Sequence, residues 1–250
     1  MLIALDAQHM LVGVDEYSAD HEPGVAALPR VGGLFNPSLE AVVALEPDLV
    51  VVVPSVQQRD FRTRARELGV EVLELASITF EQLLASMQTL GDRVGRSQAA
   101  RERVAAIRST WIDVAREASL QPRRSAVLIV QRDPLYVVGG ESYLNAMLEA
   151  AGLDNMAAEY TEAYPRVSLE WLIAAGPQVI IDSSADPINA VEHWSRWVSI
   201  PAVAEGRVVA VPHGLVTLPG PYLDRSLLTM VAAIRSADRA SDTGGGAKLP

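Results

Sequence analysis

Residues 38–52 read SLEAVVALEPDLVVV, and residues 168–182 read SLEWLIAAGPQVIID. The copies lie 130 positions apart without a gap, and Ser38/Ser168, Leu39/Leu169, Glu40/Glu170, Ala44/Ala174 and Pro47/Pro177 coincide. The apolar positions between them agree as well. Each copy holds a helix-length stretch, a proline that breaks it, and a continuous apolar run. Such a run marks a strand buried on both faces of a parallel sheet. One helix and one strand, written once per half, predict two similar lobes with one Glu at an equivalent place in each.

Around the first copy, MLIALDAQ reads as the end of an amphipathic helix and LVGV (11–14) as a short strand. Asn36-Pro37 is a helix-start signal, Asn as cap and Pro at the first helical position. A helix over about 56–68, a strand at 70–75 and a helix over about 79–94 follow. Residues 97–120 form the longest helical pattern, with Val104, Ile107, Trp111, Val114 and Ala118 on one stripe. At 1.5 Å per residue it spans roughly 36 Å, the length of a brace rather than a flexible linker.

The second half restarts with strands at 125–130 and 135–140 and a helix from Ser142 to about Ala151. The second copy, a helix around 187–197, a strand at 207–212 and a last helix over about 222–235 complete it. Alternating strands and helices predict an α/β fold with two Rossmann-like lobes and parallel sheets. The expected boundaries are 1–95 for the N-terminal lobe, 96–121 for the connecting helix, 122–236 for the C-terminal lobe, and a disordered tail over 237–250.

Composition excludes several functions. The chain carries 21 basic and 31 acidic residues, a net charge of −10, which argues against nucleic acid as a partner. It has no cysteine, so thiolate catalysis, disulfides and Cys-ligated zinc are ruled out. No stretch is long and apolar enough for a membrane helix, and the start lacks the basic and apolar regions of an export signal. His9, His21, His193 and His213 lie far apart with no paired ligand spacing, so no metal is expected.

Gly139-Gly140 follows a strand and opens a helix. It lacks dinucleotide-loop spacing, and a tight turn with a Ser142 cap is the simpler reading. Aromatics number only 13, and Tyr17, Phe35, Tyr164, Trp194, Trp197 and Tyr222 fall in loops at the expected strand ends. Open α/β sheets bind ligands there. Glu40 and Glu170 sit early in their helices, where the dipole favours a carboxylate. As a pair they match a two-fold partner carrying basic residues.

Four stretches carry a family resemblance: LPRVGGLFNPSLEAVVALEPDLVVV (28–52), YVVGGESYLNAMLEAAGLDNM (136–156), YPRVSLEWLIAAGPQVII (164–181) and IPAVAEGRVVAVP (200–212). They resemble the ABC-transporter substrate-binding proteins of the cobalamin, siderophore and haem class. VGVDEYS with the following VGG, the Trp194-to-Pro201 spacing and LPGPYL (218–223) resemble the cobalamin branch.

The resemblance implies two α/β lobes joined by one long rigid helix, with the ligand in a cleft between them. It implies ligand contacts at Tyr17, Leu34, Phe35, Tyr164, Trp194 and Tyr222, and docking of Glu40 and Glu170 on arginines of an ABC permease dimer that works with ATPase subunits. It further implies an extracytoplasmic monomer that binds a cobalamin-like corrinoid, uses no cofactor and is not an enzyme. Leu34 stands where the best-known cobalamin receptors have a stacking Trp, and Tyr222 where many members have Arg. Members also begin with an export segment, a strand and a helix. Met1 falls inside that helix, so the N-terminal lobe is expected to lack its first strand. A siderophore or haem receptor, a two-lobed tetrapyrrole chelatase, and a sensor without transport stay open as alternatives.

Overall fold

The computed structural model describes residues 1–185, 189–216 and 218–244. The chain divides into two compact units, Met1–Ser77 with Gln82–Val104, and Ile78–Glu81 with Ala105 onward.

The first unit opens with two single-turn 3-10 helices, Ile3–Leu5 and Gln8–Met10, in place of the expected amphipathic helix. The left-handed backbone of Asp6 (φ 53°) separates the two turns. The expected strand at 11–14 reduces to a single bridge from Val14 to Arg30. Helix α1 (Glu16–His21) is capped by Asp15, whose carboxylate accepts from the Ser18 N–H at 2.9 Å. Helix α2 (Leu39–Val43) is capped by Ser38 rather than by the expected Asn36.

Strands β1 (Leu49–Val52) and β2 (Glu71–Glu74) pair in parallel, with Leu49 opposite Glu71 and Val52 opposite Glu74. Helix α3 (Arg59–Glu67) connects them and turns Phe61 and Ala65 inward. The core under this sheet is Val42, Val52 and Phe61, with Val31, Leu39, Val50 and Val72 packed against it. β1 is not buried on both faces as its apolar run predicts, since Val51 is 37% exposed. A strand is buried on both faces only where other elements cover both faces of its sheet.

Helix α4 (Phe80–Arg93) buries Leu83, Leu84, Met87 and Leu90. Helix α5 (Ser97–Ala118) is the predicted long helix, 22 residues, and both units take part of it. Its stripe buries Ile107 and Val114.

The second unit is a five-stranded sheet. β3 (Arg124–Gln131) is flanked on one edge by β6 (Val179–Asp182), which is followed by β7 (Val208–Ala210). Its other edge is shared by β5 (Leu153–Asn155) and β4 (Tyr136–Val137). β4 runs antiparallel, so the sheet is mixed rather than wholly parallel. Ala126–Ile129 in β3 and Ile180 and Ile181 in β6 are fully buried. Each buried Val, Leu or Ile side chain among these is worth about 1.5–3 kcal/mol of burial.

Helix α6 (Tyr143–Ala150) starts at Ser142, whose hydroxyl accepts from the N–H groups of Leu144 and Asn145. Helices α7 (Leu169–Ala175), α8 (Ala190–Trp194), α9 (Pro201–Ala204) and α10 (His213–Val216) follow. The start of the helix expected over 187–197 lies partly outside the described residues. Helix α11 (Leu223–Gly244) continues nine residues past the expected end at 235. Arg124 holds its extension through a bidentate ion pair with Asp238, at 2.5 and 3.0 Å. The rest of the expected tail, 245–250, lies outside the described residues.

The repeat is structural. α2 and α7 both begin one residue after a capping serine, and β1 and β6 both begin ten residues after their helices begin. Ser38 accepts from the Ala41 N–H at 3.2 Å, and Ser168 from the Trp171 N–H at 3.1 Å.

Candidate functional site

Strands β3, β6 and β7 of the second unit deliver their carboxyl ends to one side of the sheet. The leading feature there is Asp182, the last residue of β6, where the first copy of the repeat has Val52. Its side chain is almost wholly inside, as is that of Arg132, which donates to it through Nε at 2.8 Å. The Trp194 indole donates to the same carboxylate oxygen at 2.6 Å. The Ser184 N–H and hydroxyl donate to the other oxygen at 3.0 and 2.6 Å.

A buried carboxylate with four donors is satisfied. Burial pushes the Asp182 carboxyl up, but the bonds from Ser184, Trp194 and Arg132 outweigh it and hold it below the usual range. The group is a fixed anion that ties β3, β6 and α8 together. Beside it, the Ser183 hydroxyl donates to the Ile129 carbonyl, and Ser183's own carbonyl meets the His213 Nδ1 at 2.6 Å.

The aromatic side chains expected at the site divide into two kinds. Tyr17 is 40% exposed, with the His21 ring stacked on it at 4.1 Å. Leu34 and Phe35 are also exposed, and the Leu34 carbonyl accepts from the Gln58 side chain at 2.5 Å. Tyr164 is 41% exposed as a residue. Its phenol is pushed up by burial, partly offset by the hydrogen bond from Tyr143. The buried Tyr143 phenol is itself raised by burial and by Tyr164. Tyr222 is half-buried, with the Arg225 guanidinium over its ring.

Trp194 differs from the rest. It is 2% exposed and belongs to the core cluster with Leu172, Ile180 and Ile200. Its half-buried neighbour Trp197 lies 5.2 Å away, ring to ring.

Glu40 and Glu170 are both exposed, each the second residue of its helix. The Glu170 carboxyl is held below its usual range by its own backbone N–H and by Ser168. Gly139 and Gly140 form no anion cradle. Their N–H groups donate to the carbonyls of Ala163 and Tyr160, both at 3.0 Å.

Reading residue types alone missed Asp182, Arg132 and Arg225. Asp182 did leave a signal, a charged residue ending an apolar strand at the place where the repeat departs from its first copy. A cavity of about 410 Å³ lies at the opposite end of β3, lined by Arg124, Arg235, Glu117 and Asp238 among others. Its arginines are engaged, Arg124 with Asp238 and Arg235 with Glu117. Among the described residues no cluster of His, Asp and Glu could hold a metal ion, and no helix is long and apolar enough to cross a membrane.

In open α/β sheets the carboxyl ends of parallel strands, such as those of β3, β6 and β7, are where ligands bind. Residues 1–214 match the model of a periplasmic binding protein family, and the chain belongs to that family. It is 28% identical over 206 residues to an ABC transporter substrate-binding lipoprotein of Bacillus subtilis, covering 80% of this chain and 65% of the relative. It is 25% identical over 203 residues to a vitamin B12-binding protein of Salmonella typhi, covering 80% of this chain and 76% of the relative. The periplasmic vitamin B12 binding protein of Vibrio cholerae shares the fold, with a TM-score of 0.80, 20% identity and coverage of 95% and 93% of the two chains. The family and these relatives are binding proteins, not enzymes.

Proposed function

We propose that this chain is the extracytoplasmic solute-binding component of an ABC importer and that it captures a cobalamin-like corrinoid. Tyr17, Leu34, Phe35, Tyr164 and Tyr222 contact the ligand. Trp194 acts from inside, holding Asp182 and backing Trp197. Glu40 and Glu170 dock on the two permease subunits, one per subunit.

One observation carries the reading: the two glutamates occupy the same place in two copies of one structural unit. Each is exposed, second in its helix and preceded by a capping serine. A two-fold permease would present two equivalent surfaces, which such a pseudo-equivalent pair matches. The likeness to a vitamin B12-binding protein supports the ligand class.

The test is ATP-driven uptake of cyanocobalamin by vesicles holding the permease and ATPase, with this protein supplied outside. Wild type supports uptake. Glu40→Arg with Glu170→Arg abolishes it while the purified variant still binds ligand. Normal uptake by the double variant contradicts the docking assignment.

A further inference from the structure

Helix α11 turns Leu223, Leu227 and Met230 inward and leaves Arg225 on its exposed side. The Ser226 N–H and hydroxyl donate to the Tyr222 carbonyl at 3.1 and 3.3 Å, which fixes Tyr222 at the head of the helix. The Arg225 guanidinium carbon then lies 4.6 Å from the centre of the Tyr222 ring. A guanidinium held over a ring face makes that contact without using its N–H donors.

Among the described residues those donors meet no acceptor. Arg124, Arg132, Arg207 and Arg235 each hold a carboxylate, whereas Arg225 makes no hydrogen bond or ion pair with any described residue. Asp224, its neighbour in the chain, is engaged elsewhere. In a chain of net charge −10, an unpaired arginine is a local positive point among excess acid. Arg196 repeats the arrangement over Trp197, at 4.9 Å.

We propose that Arg225, pre-positioned by Tyr222, is a specificity-determining residue that reads an anionic oxygen group on the rim of a planar macrocyclic ligand. This rests on the assignment of Tyr222 to the ligand site. The ring contact restrains the guanidinium without using its hydrogen bonds, so binding pays little to order the side chain. Two macrocycle types offer the group, the phosphodiester of a corrinoid's nucleotide loop and the carboxylates of a tetrapyrrole.

Calorimetric titration with two matched pairs separates these sources. Cyanocobalamin carries the phosphodiester and dicyanocobinamide lacks it. Haemin carries carboxylates and its dimethyl ester does not. Wild type should bind the anionic member of one pair at least about tenfold tighter than its partner, as charge-assisted hydrogen bonds predict. Arg225→Gln should collapse that ratio and leave the neutral member's affinity unchanged. Arg235→Gln, which removes the same charge elsewhere on α11, should leave the ratio intact.

Equal wild-type affinity within both pairs overturns the proposal and leaves the solute-binding reading standing. Equal loss of both members in Arg225→Gln, or the same collapse in Arg235→Gln, also overturns it. Failure of all four probes to bind wild type overturns the corrinoid reading, and this proposal with it.

Discussion

Glu46 and Gly176 stand at the same point of the repeat, and both hold left-handed backbone, with φ of 47° and 56°. Gly176 is the C-cap of α7, and Glu46 lies two residues past the Ala44 cap of α2; at each the chain turns towards β6 or β1. The second copy uses the residue suited to that turn, while the first forces it on a side chain. Glu46→Gly should therefore stabilise the protein by up to about 1 kcal/mol, and Gly176→Ala should destabilise it by about 1–2 kcal/mol. A Cβ at Gly176 would meet Pro201 at an ordinary 3.7 Å, so that cost is conformational. Denaturant midpoints measure both, and a lower midpoint for Glu46→Gly would refute the argument.

Asp182→Asn removes the charge that satisfies buried Arg132. Breaking a buried pair by removing one partner costs about 3–5 kcal/mol at neutral pH. The folded-state pKa of Asp182 lies below its ordinary 3.8. Its contribution to stability is present above that value and is lost as pH falls through the lower folded-state pKa. The gap between wild type and Asp182→Asn should thus shrink in acid. Thermal unfolding followed from neutral pH downward checks this, and a gap constant with pH would argue against an ionised Asp182.

Gly139 and Gly140 are packing residues rather than an anion loop. A Cβ on Gly139 would lie 2.0 Å from the Glu162 carbonyl oxygen, a contact with backbone that no rotamer relieves. Gly139→Ala should cost about 1–3 kcal/mol or more, since overpacking against a fixed wall forces the loop to move. The readout is chemical denaturation. An unchanged midpoint would mean that the 158–165 segment yields freely.

Much of this architecture was legible because the sequence states it twice. The serine, the glutamate and the apolar run locate α2 and β1, then α7 and β6, at matching positions. What stayed hidden depends on partners distant in the chain. Whether β1 is buried depends on what covers the two faces of its sheet, which its valines do not encode. The extension of α11 rests on Asp238 meeting Arg124, 114 residues away. Trp194 reads as a ligand aromatic until Asp182 takes its N–H, a bond that spans β6 and α8. Arg225 stood three residues from an expected site residue, but only the folded helix start lays it on the ring.

Binding of a corrinoid is the claim on which the functional account turns. Titration of the purified protein with cyanocobalamin by calorimetry tests it most directly. The account predicts saturable binding with a Kd below about 10 μM, stronger than roughly −7 kcal/mol, and weaker in Tyr164→Ala. No saturable heat up to that concentration would contradict it.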